Sequence, residues 1–226
     1  MNNRNHFKAF IFDLDGVIVD TAVHHYSAWR RMANRLGFDI NEKFNEQLKG
    51  VGRMESLEAI LDFGGIVLSE NEKVHYAKMK NQWYQNLIKD MTPDEILPGA
   101  KAFLDHSKKL GYKICLGSAS KNARAVIRSV KLESIFDAIV DGTDVIKSKP
   151  DPEVFLNGAT LINVPPTECI VFEDAEKGIE AALNAQMTTI GVGKPGTLPK
   201  AHFNIEGFAD LTPEGLLEKL TETLSI

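Results

Sequence analysis

Cysteine is scarce in this 226-residue chain: Cys115 and Cys169 are the two it has, and both lie inside apolar runs. A disulfide framework needs more cysteines and turn-like surroundings, so these two read as reduced core residues of a cytoplasmic protein. Long hydrophobic runs are missing as well. The first apolar stretch opens at Phe7 and is cut off by Asp13, too short for a signal-peptide core or for the roughly 20 apolar residues of a membrane helix. An excess of positive charge is also lacking. A formal net charge of -5 gives no reason to expect nucleic acid or an anionic membrane as partner. No internal repeat or low-complexity segment interrupts the chain. The length suits one large domain, or one domain with a sizeable insertion.

What is there is a series of short apolar runs: FKAFIF (7–12), YKICLGS (112–118), FDAIV (136–140), ECIVF (168–172) and MTTIGV (187–192). They are continuous rather than alternating, as expected of strands buried on both faces of a parallel sheet. Helical patterns separate the later ones. Ala100, Phe103, Leu104 and Leu110 share a face ahead of Gly111, and Ile179, Ala182 and Leu183 make a second stripe. Thr212-Pro213 opens a last helix with Leu216, Leu217, Leu220 and Leu224 turned inward. This alternation predicts an α/β fold, a doubly wound, mainly parallel Rossmann-like sheet.

Residues 21–93 break the pattern and read as helical throughout. Trp29, Met32, Ala33 and Leu36 form one stripe, and Asn41 caps a helix burying Phe44 and Leu48. Ser69 and Glu72 make a capping box ahead of Val74, Ala77, Tyr84 and Leu87. The expected organisation is therefore a core of residues 1–20 and 94–226, with a helical cap domain, residues 21–93, inserted after the first strand. No helix is left with an obvious unpaired apolar face, so a monomer is expected.

In open α/β sheets ligands bind beyond the carboxyl ends of the strands. Those ends carry, in chain order, Asp13 and Asp15, then Ser118-Ala119-Ser120, then Lys149, then Glu173-Asp174. Taken singly, each has an ordinary reading as an Asx-turn, a helix cap or a loop lysine. Four such accidents at one edge are much less expected than one site. The acids suit a hard dication with few oxygen ligands, which is magnesium's habit. The candidate metal set is Asp13, Asp15, Glu173 and Asp174, with Asp13 and Asp174 as its natural carboxylate ligands. Lys149 and the backbone N–H groups around Ser118 would face a phosphoryl group. A metal-bound Asp13 can then serve as nucleophile, while Asp15, its side chain held off the ion, shuttles a proton.

FDLDGV, a serine after the second strand, a Lys-Pro and EDA together resemble the four motifs of the haloacid dehalogenase superfamily of phosphotransferases, over nearly the whole chain. The resemblance implies the α/β core with its inserted helical cap. It also implies Asp13 as nucleophile, Asp15 as general acid/base, Ser118 and Lys149 as phosphate binders, and Asp174 as metal ligand with Glu173 beside it. The presence of Asp15 disfavours a dehalogenase. FNEQLKGVGR (44–53) and GSASKN (117–122) are similar to the β-phosphoglucomutase family. By that resemblance Arg53, Ser120, Lys121 and Asn122 grip the substrate's second phosphate. His25 and Lys80 lie near the reacting hydroxyl and Asp15, Trp29 and Val51 line the sugar pocket, and Thr21 lies at the hinge. Gly52 departs from the pattern, where a serine or similar residue is expected.

The expectation is thus a phosphomutase of small sugar phosphates, using Mg2+ and an aspartyl phosphate. Two cationic ends suit a bisphosphate that must bind in both orientations. The rival on the same scaffold is a sugar-phosphate phosphatase. A signalling receiver module shares the strand-end aspartates but is about half as long and has no helical insertion. A catalytically dead sensor would have no use for the complete charge set.

Overall fold

The structure of the chain, a computed structural model, describes residues 6–48 and 50–224, the last of these by its backbone alone. Its sheet is built from β1 (Ala9–Phe12), β2 (Lys113–Gly117), β3 (Ala138–Val140), β4 (Cys169–Glu173), β5 (Thr188–Val192) and β6 (Phe203–Ile205). All neighbouring strands pair in parallel, in the order β3-β2-β1-β4-β5-β6. The continuous apolar runs become the central strands because both of their faces are covered. Phe10 sits in register with Ile114 and Ile170, and Phe12 with Leu116 and Phe172.

Period-two alternation then sorts each strand between two cores. Phe10, Phe12 and Phe172 face α5 (Ala100–Lys109), α6 (Ala123–Ser129) and α9 (Pro213–Leu224). Phe12 and Phe172 stack at 4.6 Å, with Phe103 and Phe208 around them. Ile11, Cys115 and Val171 face α7 (Glu153–Leu161) and α8 (Glu176–Asn184) on the other side. Both cysteines are buried and free. Helices on both faces make the sheet doubly wound. The chain leaves β1 toward β2 and β3, then returns to β4 on β1's other edge. That reversal opens a crevice at the carboxyl ends of β1 and β4.

Between β1 and β2 the chain makes α1 (Ala22–Arg35), α2 (Glu42–Glu46), α3 (Arg53–Gly64) and α4 (Glu70–Ile88). These helices bury an apolar cluster of their own, with Trp29, Met32, Leu57, Ile60, Leu61 and Ala77 inside it. The caps form as the sequence suggests. The Asn41 side chain accepts from the Phe44 N–H at 2.9 Å, and Ser69 and Glu72 close their box. The two chain passages joining this block to the sheet run side by side. Val19 bridges Ile96 in antiparallel fashion, and the Leu97 N–H donates to the Ile18 carbonyl at 2.9 Å.

Three details differ from the sequence reading. Val74 and Leu87 are exposed rather than packed, because α4 buries Ala77, Lys80, Tyr84 and Ile88 instead. Leu110 is also exposed, since it lies one residue past the end of α5, where Gly111 turns the chain with φ +89°. The edge strand β6 was not foreseen in HFNIEG, whose polar residues hide a three-residue pairing with β5. The expected inward turn of Leu224 falls outside the described side chains. Among the described residues no helix is long and apolar enough to cross a membrane.

Candidate active site

The sheet ladder sets the first functional side chains. The Asp13 N–H donates to the Phe172 carbonyl at 2.9 Å, and the Ser118 N–H donates to the Val140 carbonyl at 3.0 Å. Each ladder therefore holds one residue beyond its last strand position, so these two side chains start from rigid backbone. Glu173 ends β4 itself, and Asp174 follows it.

Lys149 ties three of these segments together. Its Nζ donates to Asp13 Oδ1 at 2.6 Å, to Glu173 Oε2 at 2.8 Å and to the Gly117 carbonyl at 3.2 Å. An ammonium has three N–H groups, and all three are used. Burial alone would lower the lysine's pKa, but Asp13 and Glu173 outweigh it and keep the ammonium charged well above its ordinary range. Glu173 is pushed up to about 8, by burial first and Asp13 second, against the pull of Lys149. Lys149 thus pairs with two members of an acidic trio, Asp13, Glu173 and Asp174. These three carboxylates each offer an oxygen within 4.8 Å of the others. Compact hard donors are what a divalent cation requires, and its presence would reverse the upward push on Glu173. The Asp15 carboxylate, counted in the sequence-based metal set, is not part of this cluster.

Asp15 is turned elsewhere. Its N–H donates to Asp13 Oδ2 at 3.0 Å, while its Oδ1 accepts a short hydrogen bond from the buried Thr21 hydroxyl. The Tyr84 hydroxyl donates to Thr21 Oγ1 at 3.2 Å and so fixes which way Thr21 points. Burial, then the neighbouring Asp13 charge, raise the Asp15 pKa to about 7, with the Thr21 hydrogen bond opposing. Two aspartates one residue apart thus occupy different environments, one neutralised by an ammonium and one poised near neutrality.

Across the cavity from Asp13, the inserted helices deliver cations. Arg53 opens α3 and donates from Nη2 to Asn81 Oδ1 at 2.8 Å. Asn122 Nδ2 donates to the same oxygen at 2.9 Å, and Gln85 Nε2 donates to Asn122 Oδ1 at 3.2 Å. Burial lowers the Arg53 pKa. Lys80 is buried, 3.0 Å from His25 Nδ1 and 4.2 Å over the Trp29 ring. Burial and then Arg53 hold it well below the usual lysine range, while burial and Lys80 keep His25 neutral. A neutral imidazole can accept the lysine's N–H at Nδ1.

One cavity, about 90 Å³, touches most of these groups. Asp13, Asp15, Ser118 and Asp174 lie on its sheet side, with Ala119, Ser120, Lys121 and Asn122 beside them. His25, Trp29, Val51 and Arg53 line it from the inserted helices. Thr21, Lys80, Lys149 and Glu173 do not line it, and act on it through His25, Asp13 and Asp15. Sequence reasoning did not assign Asn45, Leu48, Gly50 and Ser56 to the site, yet they also line it, and the first three fall within the quoted FNEQLKGVGR stretch. Asn81 and Gln85 carried no sequence signal at all, being two polar letters on a long polar helix. Asp141 follows β3 at the same sheet edge but is spent structurally. It accepts from the Thr143 N–H and hydroxyl, and pairs with Arg124 at 3.3 Å.

Gly16 closes the turn after Asp15 with φ +75°, and a Cβ there would lie 2.2 Å from Asp174 Oδ2. Gly16→Ala therefore forces a left-handed backbone on alanine, costing roughly 1–2 kcal/mol, and displaces a carboxylate of the acidic cluster. We expect divalent-cation affinity, read by titration calorimetry, to fall by about 10- to 100-fold, as when a ligand's supporting residue is lost.

Comparison with known proteins agrees with this geometry. The chain is 42% identical to the β-phosphoglucomutase of Bacillus subtilis, over 94% of this chain and 95% of that one. It is 33% identical to a phosphorylated carbohydrates phosphatase of Thermotoga maritima, over 96% and 100% of the two chains. The crystal structure of β-phosphoglucomutase from Clostridium difficile superposes with a TM-score of 0.93 at 45% identity, over 97% of this chain and all of that one. Residues 10–192 match the haloacid dehalogenase-like hydrolases and take in Asp13, Asp15, Lys149, Glu173 and Asp174. The chain belongs to the haloacid dehalogenase-like hydrolase family.

Proposed function

We propose that this protein is a β-phosphoglucomutase, interconverting β-D-glucose 1-phosphate and glucose 6-phosphate. The observation that carries the reading is one cavity served by both a phosphoryl-handling centre and a cationic grip. Asp13, Ser118 and the Lys149 ammonium form the first, and Arg53, Lys121 and Asn122 form the second. A bisphosphate that must be bound in two orientations uses both, whereas a monophosphatase needs only one. The names of the relatives at 42% and 45% identity support the same reading.

In this mechanism Asp13 carries the phosphoryl group as an acyl phosphate. The 6-hydroxyl of β-glucose 1-phosphate attacks phosphorus, the bond from phosphorus to Asp13 breaks, and the hydroxyl proton passes to Asp15. The resulting β-glucose 1,6-bisphosphate turns around. Asp13 then attacks the C1 phosphate, Asp15 returns its proton to the departing C1 oxygen, and glucose 6-phosphate leaves. Thr21, oriented by Tyr84, holds Asp15 toward the reacting hydroxyl. Ser120, Lys121, Asn122 and Arg53 hold the phosphate that is not reacting, and Asn81 keeps Arg53 and Asn122 together. His25 and Lys80 sit beside the reacting hydroxyl, with Trp29 and Val51 against the sugar ring. Mg2+ held by Asp13, Glu173 and Asp174 would neutralise phosphoryl charge in transfer.

The division of labour assigns residues 1–20 and 94–226 to a phosphotransferase core and residues 21–93 to a cap that opens for exchange and closes for chemistry. The bridged chain passages at Val19 and Ile96 serve as its hinge. Closure keeps water from the acyl phosphate.

The decisive assay supplies β-glucose 1-phosphate, Mg2+ and a trace of β-glucose 1,6-bisphosphate, and follows glucose 6-phosphate and free phosphate separately. Glucose 6-phosphate far in excess of phosphate is expected. Phosphate released mole for mole with no isomer would replace the mutase by the second reading, a sugar-phosphate phosphatase, which the Thermotoga relative favours.

A further inference from the structure

Gly52 stands at the N-cap of α3, where a serine or similar residue was expected, and its backbone does not explain it. With φ -64° and ψ 154° any residue could occupy the position. Serine would serve better there, since a hydroxyl caps the helix and glycine leaves no side-chain cap bond. The explanation lies across the gap. A Cβ on Gly52 would lie 2.3 Å from Ser148 Oγ and 3.4 Å from Ser148 Cβ, on the loop that leads into Lys149. Swinging the serine hydroxyl aside would relieve the first contact and leave the second at van der Waals distance. Side-chain atoms beyond Cβ would then have to find room between the two surfaces.

The contact borders a second hollow. A cleft of about 420 Å³ lies outside the reaction cavity, lined by Gly52 and Ser148 together with Val145 and Lys78. Three residues line both spaces: Arg53, Ala119 and Lys121. They are the partition between the cleft and the cavity in which Asp13 reacts. Arg53 comes from the cap and the other two from the core, so the partition holds only while the two parts are pressed together. At Gly52 the cap meets the Ser148 side chain with no side chain of its own between.

Resting on the mutase reading of the site, we propose that Gly52 is a specificity-determining residue: by letting the cap seat directly on Ser148, it closes the Arg53–Lys121 partition and decides whether phospho-Asp13 passes its group to a sugar or to water. Gly52 is a positioning residue, since it touches no reacting atom. A bulkier residue lifts the cap by the width of its side chain, and water entering from the cleft attacks phosphorus. Asp13 is then regenerated as carboxylate and inorganic phosphate is released.

The test loads Asp13 with acetyl phosphate, which transfers its phosphoryl group and leaves as acetate, and follows the lifetime of the acyl phosphate. Wild type, Gly52→Ser, Gly52→Val and each variant combined with Ser148→Gly are compared. The lifetime is expected to shorten about tenfold in Gly52→Val and by less in Gly52→Ser, and to return toward wild type when Ser148 is cut back to glycine. Gly52→Ser gains a helix cap and should melt no lower than wild type, so its shorter lifetime cannot be a folding defect. In the sugar assay the same variants should release more phosphate per glucose 6-phosphate formed. An unchanged lifetime in folded Gly52→Val, or no recovery with Ser148→Gly, overturns the proposal. Failure of the wild type to form glucose 6-phosphate would defeat the mutase reading alone, because the acyl-phosphate lifetimes still report on the seat.

Discussion

Asp13→Asn is expected to abolish turnover, by roughly 10,000-fold or more, while leaving the protein at least as stable as wild type when divalent cations are chelated. The two halves of that result have one electrostatic cause. Asp13, Glu173 and Asp174 converge within 4.8 Å, and the Lys149 ammonium binds Asp13 and Glu173. Removing one negative charge relieves repulsion, and the asparagine oxygen can still accept the lysine's hydrogen bond. Glu173 carries the signature. Its pKa lies at about 8 in the fold against an ordinary 4.5, with Asp13 the largest cause after burial. A carboxyl whose pKa is raised by folding supports stability fully below the unfolded value and loses it as pH rises through the folded one. Metal-free wild type should therefore lose stability between about pH 4.5 and 8, and Asp13→Asn should lose less. Urea denaturation across that range, with chelator, reads the effect. Acetyl phosphate should label wild type and leave Asp13→Asn unlabelled. An unfolded variant would overturn the electrostatic account, and one that still accepts the label would remove Asp13 from the chemistry.

The parts of this molecule that were legible in its sequence are those where one local rule decides. FKAFIF and ECIVF could be read as central strands because burial on both faces demands an unbroken apolar run, and β1 and β4 are buried along their whole length. Ser69 and Glu72 could be read as a cap because the motif satisfies itself within four residues. The acids, serine and lysine at the strand ends could be gathered into one site because parallel strands must deliver their carboxyl ends to one edge. What stayed hidden depends on elements meeting in space. Val74 and Leu87 flank the buried stripe of α4 on opposite sides and stay exposed. Strand β6 is held by its partner rather than by its own composition. Asn81 binds Arg53 from within its own helical block and Asn122 from 41 residues further on, a pairing that no spacing announces. Gly52 was visible as a departure, but its reason, Ser148, stands 96 positions along the chain.

Asp15→Asn is expected to lower kcat by about 100- to 10,000-fold, the usual worth of a positioned acid or base, without blocking phosphorylation of Asp13 by acetyl phosphate. The distinction follows from the leaving groups. Acetate departs as a stable anion and needs no proton, whereas a sugar oxygen departs as an alkoxide unless one is supplied. The same proton must be removed when the 6-hydroxyl attacks. Asp15 suits both directions because burial and the Asp13 charge hold its pKa at about 7, within reach of either protonation state. Transfer from phospho-Asp13 to β-glucose 1-phosphate uses the carboxylate form, so its rate should fall as pH drops through that value and level off above it. Asparagine keeps an oxygen for the Thr21 hydroxyl, so the local geometry survives while the titration is lost. Rapid-quench measurement of transfer from the labelled enzyme, across pH 5 to about 8.5 to bracket that midpoint, should show an acid limb in wild type and a flat, slow profile in the variant. A variant that transfers as fast as wild type, or keeps the acid limb, would show that another group moves the proton, and Lys80 through His25, 3.0 Å apart, would be the next pair to test.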